Sequence, residues 1–388
     1  MPVPGVSVNI SNGNLGGVNF VDDSITGIIL SGVALTDWPL GTVKVIFSLK
    51  QAEDAGIVAS VVDTSFAHRE IKEFYDKAGS GQELHVMLVA DTTQLAFACD
   101  QVNPMLKKLL QESGGRIKRW GANIAKPDDY VPVLTKGIDQ DVLDAATKAQ
   151  ELTDALALNY IFTRGLLPGR DYQGAASLDD LTQRAENRVG ICLLGDIGNK
   201  EARIGFTLGC MAANSVQRKI GAVEDGHMGI NECYLTDGTT KAEEIINVQN
   251  TIYDKGYILP IVRPGRAGYF FAGDPTATSS TDDYHSFVNG FVIDKACRIA
   301  YDVYLSFVNT DYEKEPDGSI GMIEQKRLQG NIDDRVKAEM AGEISGFKSL
   351  VDPADQPGNG VTKIALAVQP RGYHETIQVE IGMTNAVE

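Results

Sequence analysis

Two hydrophobic rhythms take turns along the first half of this chain. Short apolar runs alternate with longer segments whose apolar positions recur every three to four residues. After an opening stretch in which Val6, Val8 and Ile10 alternate with polar neighbours, "DSITGIILSG" and "KVIFSL" read as strands. "SFAHREIKEFYDKAG" reads as an amphipathic helix, with Ile71, Phe74 and Tyr75 on one face and Gly79 as its stop. "LHVMLVA" is a buried strand, "NPMLKKLLQESGG" a helix, "RIKRWGA" a strand and "DQDVLDAATKAQELTDALALN" a long helix. "YIFTRGL" and "RVGICLLG" follow as strands, the second preceded by the helix-like "SLDDLTQRA". This alternation predicts a layered α/β domain over residues 21–205 of a multi-domain α/β (α+β) chain.

The second half changes character. "TTKAEEIINVQNTIYDKG" carries a capping box from Thr240 to Glu243 and a stop at Gly256, which predicts a helix. "YILPIVRPGRAGYFFAGDPTA" reads as two strands around the turn "RPGR". A long helix is predicted from about Thr281, with Phe287, Phe291, Ile299, Val303 and Phe307 on one stripe interrupted by Lys295. "GMIEQKRLQGNIDDRVKAEMAGEI" is a further helix, and "DPADQPGNG" a loop. Ile364, Leu366 and Val368 then alternate, as do Ile377, Val379 and Ile381, with turn residues between, so a hairpin of these two stretches is expected. No internal repeat is apparent.

Composition narrows the function classes. The chain has 388 residues, 43% of them hydrophobic and 22% charged, which is globular and leaves room for two or three domains. The net charge of −17, with no basic cluster longer than "GGRIKRW", argues against nucleic acid as a partner. No run is long and apolar enough for a membrane span, and the first residues lack the basic and apolar regions of a secretion signal. Cys99, Cys192, Cys210, Cys233 and Cys297 form no C-x-x-C pair and read as small buried hydrophobes rather than a disulfide framework.

Candidate chemistry is thin. Asp63, Asp91 and Asp196 each follow a strand-like run, and converging carboxylates at strand ends would suit Mg²⁺ and a metal-dependent hydrolase. Each also suits a helix cap or a turn, which is the commoner role. There is no P-loop, no G-x-G-x-x-G in a strand–turn–helix setting and no nucleophile elbow. The five histidines fall in five separate segments without zinc spacing; His85, inside a strand, reads as a hydrogen-bonded core residue and His374 as a solvated one. Arg263 and Arg266 flank the Pro-Gly turn and would grip a carboxylate or phosphate, or form an exposed turn with solvated or interface salt bridges, which is the commoner case. No cofactor is expected.

With so little chemistry, the strand-like ends carry the most information. A lone strand is not stable, so each must join a sheet in its own chain or in a neighbour. The glycines of "SNGNLGGVN" would let the first of these arms pivot. The order "IINVQNTIYDKGYILPIVRPGRAGYFFAGDPTATSSTDDYHSFVNGFVIDKACRIAYDVYLSFVN", then a helix, an acidic Pro-Gly loop and a hairpin, resembles the C-terminal core of contractile phage tail sheath proteins. "PGVSVNISNGNLGG" followed by "DSITGIILSG" is similar to the start of such proteins. The resemblance covers residues 1–35 and 205–388, and more loosely the region between, through "EIKEFYDKAGSGQELHVMLVA" and "DLTQRAENRVGICLLGD".

That resemblance implies an N-terminal arm at 1–20, an outer α/β domain at 21–205, a sheath core domain at 206–370 and a C-terminal arm strand at 371–388. It implies a structural, non-enzymatic subunit that polymerises with itself in stacked hexameric rings around an inner tail tube protein, with baseplate and tail terminator proteins as further partners. Contraction of the sheath would drive the tube through a target envelope. Val6, Val8, Ile10, Ile377, Val379 and Ile381 would then make inter-subunit strand contacts, and Lys326, Arg327 and Lys337 would face the tube. The place implied is the tail of a phage or phage-like particle assembled in the bacterial cytoplasm. A non-contractile tube or baseplate protein is the third reading, and the predicted helix content argues against a tube. The chain is short for the family, so large surface insertions are not expected.

Overall fold

The computed structural model describes residues 22–352, 361–379 and 381. The chain divides into two compact units, Met1–Tyr301 and Asp302–Glu388. The 205/206 boundary expected from sequence therefore falls inside the first unit.

The first unit contains β1 (Thr26–Ser31), β2 (Val43–Ile46), α1 (Leu49–Asp54), α2 (Val62–Ala78), β3 (Leu84–Val89), α3 (Leu95–Cys99), α4 (Pro104–Glu112), β4 (Arg119–Asn123), α5 (Gln140–Ala157) and β5 (Arg164–Pro168). It continues with β6 (Ala185–Glu186), β7 (Val189–Cys192), β8 (Leu194–Gly195), α6 (Ile204–Ala212), β9 (Tyr234–Leu235), α7 (Gln249–Asp254), β10 (Pro260–Val262), β11 (Tyr269–Phe271) and β12 (Ala277–Thr278). Helix α8 (Phe287–Leu305) begins in this unit. A six-stranded sheet runs in the order β2-β3-β1-β4-β5-β7. β1 pairs in parallel with β3 and β4, β4 with β5, and β5 with β7, while β2 lies antiparallel at one edge.

Every residue of β1, β3, β4, β5 and β7 is buried. That is why β1, β3 and β7 read as near-continuous apolar runs: helices cover both faces of the sheet. Ile29, Met87, Trp120 and Ala122 face a core built with Leu106, Leu109, Leu110, Val142 and Leu152. On the other face, a side chain at Gly121 would meet Ile204 and Leu208 of α6.

Helix α6, "IGFTLGCMA", carries no predicted signal because it is apolar all round and is buried on nearly every side. It packs against α2 so closely that a Cβ on Gly205 would lie 2.0 Å from the Glu70 carbonyl oxygen, and one on Gly209 2.6 Å from that of Phe74. The bare backbone of these two residues sets the helix separation.

Other differences have local causes. The expected helix from Thr240 is replaced by turns, and only Gln249–Asp254 is helical. Thr240 is drawn into a tight turn instead: its N–H donates to the Asp237 carboxylate at 2.9 Å, and its hydroxyl bonds the same group. "SLDDLTQRA" yields one 3-10 turn, Leu181–Gln183, capped by Asp180. The long helix starts at Phe287 rather than Thr281, because Asp282 accepts the Tyr284 N–H at 2.7 Å in a turn. The buried Asp274 then caps α8, accepting the Val288 N–H at 3.1 Å. Phe307 lies beyond the end of α8.

The second unit holds α9 (Met322–Glu339), β13 (Ile344–Val351) and β14 (Ile364–Pro370). α9 buries Leu328, Ile332 and Val336 along one stripe. A small core joins Ile320, Leu328 and Val351, with Tyr304, Phe307, Tyr312 and Ile364 packed against it. The hairpin differs from expectation. Ile364 and Leu366 pair with Val351 and Ser349 of β13, not with 377–381. "GEISGFKSLV", whose apolar residues do not alternate strictly, was not recognisable as the partner.

Candidate functional site

In an open parallel sheet, a ligand site would lie beyond the carboxyl ends of the strands. Asp63, Asp91 and Asp196 are not assembled into one there. Asp63 is exposed in the first turn of α2, where a negative charge suits the helix dipole. Asp91 is exposed in the turn closed by the Thr93 N–H on the Ala90 carbonyl. Asp196 accepts the Ile197 N–H at 2.8 Å in its own turn. Among the described residues no group of three His, Cys, Asp or Glu side chains is placed to hold a metal ion. The hydrolase reading thus finds no support in the placement of its residues.

What fills the carboxyl end is a buried charge cluster. The loop after β5 delivers Arg170, which is fully buried. Its Nε donates to Asp139 at 2.8 Å, its Nη2 to Asp141 at 2.7 Å and its Nη1 to the Ile124 carbonyl at 3.2 Å. Asp141 in turn accepts the Leu95 and Ala96 N–H groups at the start of α3. Glu201 lies 4.0 Å from Arg170 Nη1. Burial pushes the Glu201 carboxyl up to about 7, against the pull of Arg170.

This shift has a definite sign. Glu201 binds its proton more tightly in the folded chain than at its ordinary value of 4.5, so its contribution to stability grows as pH falls through about 7 towards 4.5. The wild type should therefore gain stability relative to E201Q between pH 8 and pH 5, by up to about 3 kcal/mol. Urea unfolding of both proteins at the two pH values reads this directly, and the difference cancels the other titrating groups.

The amino ends of the strands are tied to α8 by a second set of charges. Arg164, at the start of β5, donates through Nε to Asp294 at 2.8 Å, and Arg188 reaches the same carboxylate at 3.3 Å. Asp23 receives Lys295 and Arg298, each at 2.6 Å, and its carbonyl accepts Arg119 Nη2 at 2.8 Å. Burial alone would raise the Asp23 carboxyl, but Lys295 and Arg298 outweigh it and hold it below its ordinary range. Lys295, which interrupts the apolar stripe in the sequence, is thus a buried ion-pair residue.

Arg263 and Arg266 flank the turn between β10 and β11, closed by the Arg266 N–H on the Arg263 carbonyl at 3.0 Å, and Gly265 takes the positive φ of +79° that this turn requires. Lys326, Arg327 and Lys337 are exposed on α9; Lys326 and Lys337 are eleven residues apart and so share a face, opposite the buried stripe. Arg327 leans over the Phe307 ring at 4.9 Å. His85 is buried in β3 with Nε2 2.7 Å from Glu83, as expected, and burial lowers its pKa. His374 is exposed. All five cysteines are free, and burial raises each thiol.

Ile377, Val379 and Ile381 are 72%, 71% and 91% exposed and belong to no strand. Val6, Val8 and Ile10 lie outside the described residues. No helix among the described residues is long and apolar enough to cross a membrane.

Comparison with known proteins bears on these surfaces. The family model for the DUF2586 N-terminal domain matches residues 3–274. No curated protein matches the chain in sequence. In fold, the chain is similar to the helical sheath of the anti-feeding prophage in its contracted state, with a TM-score of 0.63 at 15% identity over 98% of this chain and 99% of that one. It is similar to a chain of the anti-feeding prophage baseplate, with a TM-score of 0.61 at 16% identity over 99% of both chains. A chain of the PVC sheath complex, an extracellular contractile injection system in its contracted state, gives 0.57 at 11% identity over 99% and 98%.

Proposed function

We propose, from a chain that belongs to the DUF2586 family and has the fold of contractile injection system sheath proteins, that it is the structural subunit of such a sheath. On this reading it does no chemistry and needs no cofactor. Copies of the chain form hexameric rings stacked helically around an inner tube protein, and the stack ends at baseplate and terminator proteins. Contraction is a change between two packings of the same subunits, which drives the tube through a target envelope. The particle is a phage tail or a phage-like device assembled in the bacterial cytoplasm.

The observation that carries the reading is the run Ile377, Val379 and Ile381. Three apolar side chains at strand spacing lie exposed, and among the described residues no strand pairs with them. β13 and β14 form a two-stranded sheet among those residues, so each has a side on which a strand from another subunit would add. Residues 371–388, and 1–20 with Val6, Val8 and Ile10, serve as the exchanged arms. Lys326 and Lys337, with Arg327 beside them, supply the tube-facing helix, and the Arg263–Arg266 turn supplies a contact between subunits.

The test is negative-stain electron microscopy of the purified full chain beside I377E/V379E/I381E and a variant lacking residues 372–388. We expect tubes or stacked rings from the wild type alone, with Tm the same in the wild type and the triple variant. Compact monomers in all samples, or tubes in all of them, would overturn the exchanged-strand assembly.

A further inference from the structure

The stretch between β4 and α5 is irregular, and its two halves are held in different ways. Backbone bonds tie the far half. The Gln140 N–H donates to the Val133 carbonyl at 2.9 Å, the Asp179 N–H to that of Lys136 at 3.0 Å and the Gln173 N–H to that of Gly137 at 2.9 Å. The near half, residues 125–132, is a flap anchored through side chains. The Ala125 N–H donates to the Ser31 hydroxyl at 2.9 Å, Lys126 Nζ to the Thr93 carbonyl and the Tyr130 hydroxyl to Asp139 at 2.8 Å. The Tyr130 ring lies 5.5 Å from the Arg170 guanidinium and 5.2 Å from Lys126 Nζ. Asp128, Asp129 and Val131 are exposed along the flap.

Glu201 lies against the flap, with its carboxyl facing the Lys126 N–H. It is buried, and its Oε2 has no hydrogen-bond partner among the described residues. Arg170 Nη1 stands 4.0 Å away, on a guanidinium already bonded to Asp139 and Asp141. The charged groups around Glu201 come from every neighbouring segment: Lys126 from the flap, Asp139 and Asp141 from the start of α5, Arg170 and Asp171 from the loop after β5. Lys200, beside it in sequence, pairs with Asp171 at 3.3 Å. Tyr130 adds a phenol whose proton is held by Asp139. With Glu201 neutral, these groups supply three cations and three carboxylates. An ionised Glu201 is a fourth carboxylate, buried, with one oxygen that nothing here solvates.

We propose that residues 125–132 form a pH-dependent flap latched by Glu201, closed while its carboxyl carries a proton and opening more often once that proton is lost. Lifting the flap takes the Lys126 backbone off the carboxyl and lets water reach Oε2. Burial, the chief cause, holds the Glu201 carboxyl up to about 7 in the closed form, and hydration returns it towards its ordinary value of 4.5. Opening is therefore favoured as pH rises through that window and levels off above it. The opening is local and precedes unfolding of the sheet. It involves a single chain and is independent of the sheath reading.

Hydrogen–deuterium exchange of the full chain at pH 6 and pH 8 tests the latch, with each rate divided by that of the unfolded peptide at the same pH. In the wild type, protection of residues 125–132 should fall about tenfold between the two pH values. E201Q, whose amide has no such proton to lose, should show equal protection at both. Peptides from β1 and β3 should stay protected throughout. Equal protection of the wild-type flap at the two pH values overturns the proposal, a result that needs no variant to fold. A fall of the same size in E201Q, or one shared by β1 and β3, overturns it as well.

Discussion

R170M is expected to lose about 3–5 kcal/mol of folding stability, the cost of leaving buried charges without their partner. The methionine fills much of the same volume, so the loss would measure charge rather than a cavity. Asp139, Asp141 and Glu201 would share the buried carboxyl end of the sheet with Lys126, 3.9 Å from Asp141, as a nearby cation. The loss should exceed that of an exposed pair such as Lys50–Asp54, whose removal is worth little. R170M/E201Q should recover part of it, because one of the stranded carboxylates is gone. Chemical denaturation of the three proteins tests this; a double variant no more stable than R170M would show that Glu201 is not coupled to Arg170.

G205V should be as damaging for a different reason. A Cβ at this position meets the Glu70 carbonyl oxygen at 2.0 Å and its carbonyl carbon at 2.7 Å, both backbone atoms that no rotamer change can move. The helices must separate, and we expect a loss of about 3 kcal/mol or more. G209A should be milder, because its closest approach, to the Phe74 carbonyl oxygen at 2.6 Å, is longer than the 2.0 Å at Gly205, and alanine adds no atom beyond the Cβ. Gly330 supplies the contrast. It lies mid-helix in α9 with nothing within 4 Å of a Cβ, so G330A should add about 0.5–1 kcal/mol through helix propensity. Thermal and urea unfolding of the three variants would rank them.

The sheet and its larger helices were legible because each carries its own period. β1, β3 and β7 are apolar runs bounded by turn residues, and α2 and α5 show a clear stripe. α6 was invisible because burial on all sides erases the contrast on which periodicity depends. The helix expected at Thr240 failed because a capping signature is local, and Asp237 competes for the same N–H. The three aspartates read as well for turns as for metal ligands, and only their positions in space decide. The buried charge pairs could not be read at all: Arg164 and Asp294 are 130 residues apart, and nothing in either neighbourhood names the other. The run at Ile377 carries a strand pattern in the sequence but belongs to no strand among the described residues, and nothing in the sequence told that β14 is paired with β13.

The clasp between Asp23 and α8 joins residues 275 apart in the sequence. During synthesis at about 5–20 residues per second, tens of seconds pass between the appearance of the two halves. For that interval the amino-terminal edge of the sheet has strands but no cover, with Arg119 and Arg164 open to water. Closure of this edge is therefore a late step of folding on the ribosome, completed only when nearly the whole first unit has emerged.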